Sequence, residues 1–224
     1  MTLLRQAVAV AEKDLRIEVR GRRALGAAAP FAATMLLSFG LALGPGQSLL
    51  REVAPGLLWL AMLFASIVAF GQSYRLEAED GAIEGFVMGR IDDAAVFLGK
   101  TAAVAIELAV LQLFVFALAA ALFGVAPGTS PLAIAAALVL GAVGLAAIGS
   151  LFGVVAESPR AGTGILPLLV FPLATPVLLA GVQTTALSLA GSDGAGSWLA
   201  LLLAFDVAFL ATGTLVFEHI LEER

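Results

Sequence analysis

Cysteine is absent from the 224 residues, so disulfides, thiolate nucleophiles and cysteine metal sites are excluded. Histidine occurs once, at His219, tyrosine once and tryptophan twice. A single histidine cannot build a two-histidine zinc helix, and no nucleotide-binding glycine loop or serine elbow is present. Neither nucleotide hydrolysis nor zinc peptidase chemistry is encoded, so any energy source must come from another chain. Charge is scarce as well, since only 13% of residues are Asp, Glu, Lys or Arg.

Apolar residues fill the space, making up 61% of the chain with a mean hydropathy of +1.04. They fall into blocks near Ala24 to Leu43, Val53 to Tyr74, Val96 to Phe123, Pro131 to Ala156, Gly164 to Val182 and Trp198 to Phe217. A helix rising about 1.5 Å per residue needs roughly 20 residues to cross hydrocarbon. Barrel strands would be shorter and would alternate in polarity. The expected fold is therefore all-α: a polytopic membrane protein of six spans in one domain covering residues 1–224. Helices satisfy their own backbone groups where water cannot.

Eleven of the twelve basic residues lie before the first span, between spans two and three, between spans four and five, or at the end. Arg51 alone lies in an alternate loop. Cytoplasmic segments collect Lys and Arg, which places both termini in the cytoplasm of a multi-pass inner-membrane protein. Residues 1–23 carry six cations and three anions and do not read as a cleaved secretory signal. Leu3, Leu4, Ala7, Val8, Ala11, Leu15 and Val19 share a helical stripe there, which predicts an amphipathic helix in the cytoplasmic interface.

Between the second and third blocks, Arg75 to Lys100 reads RLEAEDGAIEGFVMGRIDDAAVFLGK, with six acids and three bases. Glu77, Glu79 and Asp80 are expected in the first turn of a short helix, at the positive end of its dipole. Gly81, Gly85 and Gly89 recur at four-residue spacing and offer a smooth docking face, while Ile83, Phe86, Val87 and Ile91 offer an anchoring one. The net charge of -5 is concentrated in this island and in the C-terminal tail. Such an acidic patch suits a protein partner; it does not suit nucleic acid or anionic lipid.

The EDG at Glu79 to Gly81, followed by the Glu84 segment and a Lys100-led span, resembles the coupling region of type-2 ABC exporter permeases. The PGLLW of Pro55 to Trp59 and the LPLLVFPLATPVLLAG of Leu166 to Gly181 are similar to those of one branch, the CcmB family. That resemblance implies a non-catalytic permease subunit of the haem-export, cytochrome c maturation system. It implies a separate CcmA-like ATPase that binds ATP, a second copy of this chain, and CcmC-like, CcmD-like and CcmE-like haem-handling partners. Glu79, Asp80, Gly81, Glu84 and Gly85, within a cytoplasmic coupling helix at residues 75–95, would then contact the ATPase. The MGRIDD at Met88 to Asp93 stands where a proline-rich turn is expected of relatives. One histidine near the cytoplasmic end and two separated tryptophans do not make a haem site, so no cofactor is assigned to this chain and haem would be held by partners. Two other readings stay open: a type-2 permease for a lipid, polysaccharide or drug, and an ATPase-independent proton-coupled carrier.

The carrier reading would use Glu107 and Asp206, which fall near the middle of spans three and six. Carboxylates are costly there, and these two are expected to be protonated or to face a polar seam, forming either an intramembrane path or interhelical hydrogen bonds. Pro167, Pro172, Pro176 and Gly181 make the fifth span the candidate moving or dimer-facing element. Gly141, Gly144, Gly149 and Gly153 predict close helix packing in the fourth. Ser192 to Ser197 reads as a flexible outer loop, and His219 as an interfacial polar residue.

Overall fold

A computed structural model describes residues 2–21, 23–80, 92–125, 130–156 and 165–222, with side chains omitted at 23, 72–80, 154–156, 165 and 218–222. Helix α1 (Leu3–Gly21) precedes α2 (Arg23–Leu43), α3 (Gln47–Asp80), α4 (Asp93–Phe123), α5 (Pro131–Ala156), α6 (Ile165–Ala190) and α7 (Ala195–Glu222). Six of these, α2 to α7, are long and apolar enough to cross a membrane. The expected all-helical, six-span architecture is therefore present, and no strand occurs among the described residues.

The bundle is organised around α3 and α5. Burial reaches 61% of the apolar window in α3 and 56% in α5, against 22% in α2 and 17% in α7, so the latter two form the rim. Helix α3 packs on α2, α4, α5 and α6, and α5 packs on α3, α4, α6 and α7. Leu41, Leu113, Leu203 and Leu215 point outwards from the rim helices and α4. In water they would be a liability; facing lipid tails they cost nothing.

Local signals set the helix ends. Asp92 caps α4, its carboxylate accepting from the Ala94 amide at 3.0 Å, and Gly124 closes that helix in the left-handed region at φ 64°. Gly191 ends α6 the same way at φ 67°, with the Ser192 amide donating back to the Leu187 carbonyl at 2.9 Å. This tight turn corrects the expected loop at Ser192 to Ser197: α7 already begins at Ala195, and the Ser197 hydroxyl donates to the Gly194 carbonyl. The fifth span is also longer than read, continuing past Val182 to Ala190, and it runs unbroken through Pro172 and Pro176. Its polar end, Thr184, Thr185 and Ser188, is turned inwards and buried.

Helix α1 is more than an interfacial leader, because it is built into the bundle. Val10 lies directly on Gly99 of α4, where a Cβ would stand 2.5 Å from the Ala7 carbonyl oxygen and 2.7 Å from the Val10 Cβ. Around that contact, Gln6 Oε1 accepts from the Asp92 amide at 3.4 Å, and Asp14 Oδ2 lies 3.8 Å from the buried Lys100 Nζ. Glu18 accepts from the amides of Ala24 and Leu25 at 3.2 and 3.0 Å, serving orphan donors in the first turn of α2. The predicted apolar stripe divides in two. Ala7 and Ala11 turn towards the protein, whereas Leu4, Val8 and Val19 stay exposed on the adjoining flank.

Since the Gly99 contact is against backbone, Gly99→Leu cannot be absorbed by a rotamer change. The substitution is expected to cost about 1–3 kcal/mol and to release α1. A lower melting temperature in detergent, together with proteolysis ahead of Ala24 that wild type resists, is the outcome to look for.

Candidate functional site

The acidic residues of the island do not lie where the dipole argument put them. Helix α3 continues through Glu77, Glu79 and Asp80, which occupy its C-terminal end and not the first turn of a new helix. The continuous apolar-to-polar run Ser73 to Asp80 contains no Gly or Pro to stop the helix. Gly81, Glu84 and Gly85 lie outside the described residues, as do the side chains of Glu79, Asp80 and His219.

Away from the island, chemistry concentrates where α3, α4, α5, α6 and α7 meet. Trp59 of α3 is fully buried, and its ring is inserted between two glycines. A Cβ at Gly141 of α5 would come within 2.3 Å of the ring, and one at Gly181 of α6 within 2.4 Å. The Trp59 indole donates to Thr185 Oγ1 at 3.0 Å, and that hydroxyl donates to the Gly181 carbonyl at 2.8 Å. The same device recurs with Phe70 on Gly149 and Phe97 on Gly213. The glycines of the fourth span are expected to permit close helix approach; Gly141 and Gly149 receive aromatic rings, and Gly144 receives the Asp206 carboxylate and the Val177 side chain.

Gln112 and Asp206 bring polar atoms to the glycine face of α5 beside this seat. Gln112 of α4 is wholly buried with its amide 3.7 Å from the Cβ position at Gly141. One turn along α5, Asp206 of α7 lies with Oδ1 2.7 Å from the Cβ position at Gly144. The Gln112 amide, both Asp206 carboxylate oxygens and the hydroxyls of Ser150, Thr184 and Ser188 have no hydrogen-bond partner among the described residues. Asp206 thus makes none of the expected interhelical hydrogen bonds there. Glu107 is buried too, but it lies on a different face of α4 from Gln112. The structure brings Asp206 and Gln112 to the same glycine face of α5 and leaves Glu107 outside that group. Among the described residues, no set of three His, Cys, Asp or Glu side chains could hold a metal ion.

One turn beyond Trp59, at the end of the bundle away from Asp80 and Asp92, the helices part around a cleft of about 560 Å³. Arg51, Glu52 and Pro55 of α3, Gly124 and Val125 after α4, and Ala186, Leu189 and Ala190 of α6 line it. Of the lining residues, Pro55 lies one turn from Trp59 and Ala186 is next to Thr185, so the Trp59–Thr185 pair neighbours the cleft in helical register. Neither this cleft nor the Trp59 seat was identified from sequence. The signal available was PGLLW, in which Trp59 follows Pro55 by one turn.

The comparison with known proteins covers the same span as this bundle. Residues 5–223 match the sequence model of the family described as CcmB protein. The chain belongs to the CcmB family. Its relatives include the Heme exporter protein B of Pseudomonas aeruginosa, 31% identical over 176 residues, which is 78% of each chain. The Heme exporter protein B of Paracoccus denitrificans is 30% identical over 202 residues, 89% of this chain and 90% of the relative. That of Bradyrhizobium diazoefficiens is 28% identical over 211 residues, 92% of both. For this CcmB-family chain, the match takes in all six spans, the Trp59 seat, the polar group beside it and the cleft together.

Two outcomes test the geometry. Gly181→Ala should lower stability by about 1–3 kcal/mol in wild type but by much less in a Trp59→Ala background, a coupling that thermal melting of the four proteins would measure. Asp206→Ala removes a buried carboxylate without a hydrogen bond, so the melting temperature should hold or rise. A fall of several degrees would mean that the carboxylate is a structural tie.

Proposed function

We propose that this chain is the membrane permease subunit of a haem-export, cytochrome c maturation system, driven by a separate cytoplasmic ATPase. The match to the CcmB family from residue 5 to residue 223 carries this reading. It is supported by the names of the relatives, by the six spans, and by the lack of any nucleotide-binding motif in the sequence. The chain would lie in the bacterial inner membrane with both termini cytoplasmic.

In this reading the ATPase, CcmA-like, docks on the segment that includes Glu79, Asp80, Gly81, Glu84 and Gly85, and a second copy of the permease completes the pair. CcmC-like and CcmD-like partners would hold haem, and ATP hydrolysis would be coupled to haem transfer or to release of the CcmE-like haem chaperone at the outer face. The proposed docking segment leads from the end of α3 to the start of α4. Those two helices reach the Trp59 seat and the first turns of α4 braced by α1, so displacement there is passed to helices already in contact. Transmission through packed helices with discrete arrangements is a physically sufficient link between distant sites.

Co-purification from native membranes tests the assignment, with the ATPase and the haem-handling subunits tracked separately. Asp80→Lys together with Glu84→Lys should remove the ATPase and leave the haem-handling partners attached. Retained ATPase would move docking elsewhere, and absence of both partner types from wild type would overturn the haem-export reading.

A further inference from the structure

The cleft at the outer end of the bundle carries a combination of groups that the transport reading does not use. Arg51 and Glu52 are adjacent on α3, yet both line the cleft, one on each side of Pro55 in helical projection. They form no ion pair with each other, and neither has a hydrogen-bond or ion-pair partner among the described residues. The rest of the lining, Val125, Ala186, Leu189 and Ala190 with Pro55, is apolar. At about 560 Å³ the cleft falls within the size range of small-ligand sites.

Its level in the bundle is fixed by helix ends. Arg51 and Glu52 lie in the second turn of α3, Gly124 closes α4, and Ala190 closes α6. The cleft therefore sits at the boundary where lipid headgroups meet acyl chains. The Arg51 guanidinium is held beside the C-cap of α4, 3.4 Å from the Cβ position at Gly124, facing the negative end of that helix.

We propose that this cleft binds the headgroup of a zwitterionic, amine-headed phospholipid from the outer leaflet. Its phosphate meets the Arg51 guanidinium, its ammonium meets the Glu52 carboxylate, and its glycerol and upper acyl carbons lie along Pro55, Val125 and Leu189. The choice among lipids follows from the pair of charges. An anionic headgroup or a dicarboxylate finds Arg51 but is repelled by Glu52. A choline head has no N–H to donate to the carboxylate. A primary ammonium beside a phosphate satisfies both partners with charge-assisted hydrogen bonds.

The test is native mass spectrometry of the full-length protein in detergent, titrated with dioctanoyl phosphatidylethanolamine, phosphatidylglycerol and phosphatidylcholine, and with protoporphyrin as a dicarboxylate competitor. Phosphatidylethanolamine should bind wild type about three- to tenfold more tightly than the other two lipids, as expected for partly screened ionic contacts. Arg51→Ala should weaken all phosphate binding. Glu52→Gln should erase the preference for the amine head and favour phosphatidylglycerol, while Arg51→Lys keeps the order and controls for folding. Equal binding of the three lipids, a preference unchanged in Glu52→Gln, or displacement of phosphatidylethanolamine by protoporphyrin at equal concentration would each overturn the proposal.

Discussion

A tryptophan ring pressed between two glycines on different helices holds the centre of this molecule. Lipid tails are as apolar as leucine, so spanning helices gain little from leaving their solvent and must adhere through packing and hydrogen bonds. Trp59 supplies both. Its faces occupy space that any side chain at Gly141 or Gly181 would fill, and its indole nitrogen ends on Thr185, whose own hydroxyl returns to the Gly181 carbonyl. Three helices are thereby fixed at one height, and the Phe70 and Phe97 seats repeat the arrangement nearer the opposite end.

The same crowding explains where polar groups can survive. Gly144 leaves room for the Asp206 carboxylate, and the Gln112 amide lies in ordinary contact with the Gly141 position, without either gaining a hydrogen bond. A buried polar group left unsatisfied is a standing cost, tolerated where a changing arrangement or a passing group satisfies it. The Gln112 amide lies near Gly141, the same glycine that receives the Trp59 ring, and Asp206 lies one turn along α5 at Gly144. Rigidity at the Trp59 seat and unsatisfied polarity beside it thus both depend on the small residues of α5.

The spans were legible because hydropathy over some 20 residues integrates a strong signal, and all six were placed within a few residues at most ends. The exceptions have physical causes. The end of the fifth span was cut at Val182 because Thr184, Thr185 and Ser188 lower hydropathy, although they are turned inwards. Ser192 to Ser197 reads as a flexible loop, whereas Gly191 and Gly194 adopt positive φ and permit a tight turn there. Glu77 to Asp80 were read as a helix start from their charge, while α3 simply continued through them. The docking of α1 was unreadable for a different reason: its periodicity revealed an apolar face, but not that Gly99, far along the chain, is the surface it meets. Family resemblance was carried by EDG and PGLLW, yet the second of these also contains the residue on which packing turns.

The position of α1 has a consequence for how the chain is made. This helix is synthesised before α4, and Gly99, Lys100 and Asp92, the groups it grips, follow only after two spans, α2 and α3. Until then it must wait without its partner. The exposed flank of Leu4, Val8 and Val19, redundant for docking, gives the waiting helix a place on the bilayer surface. Closure of α1 onto α4 then becomes a late event in assembly, one that can occur only when the third span has been inserted in the correct direction.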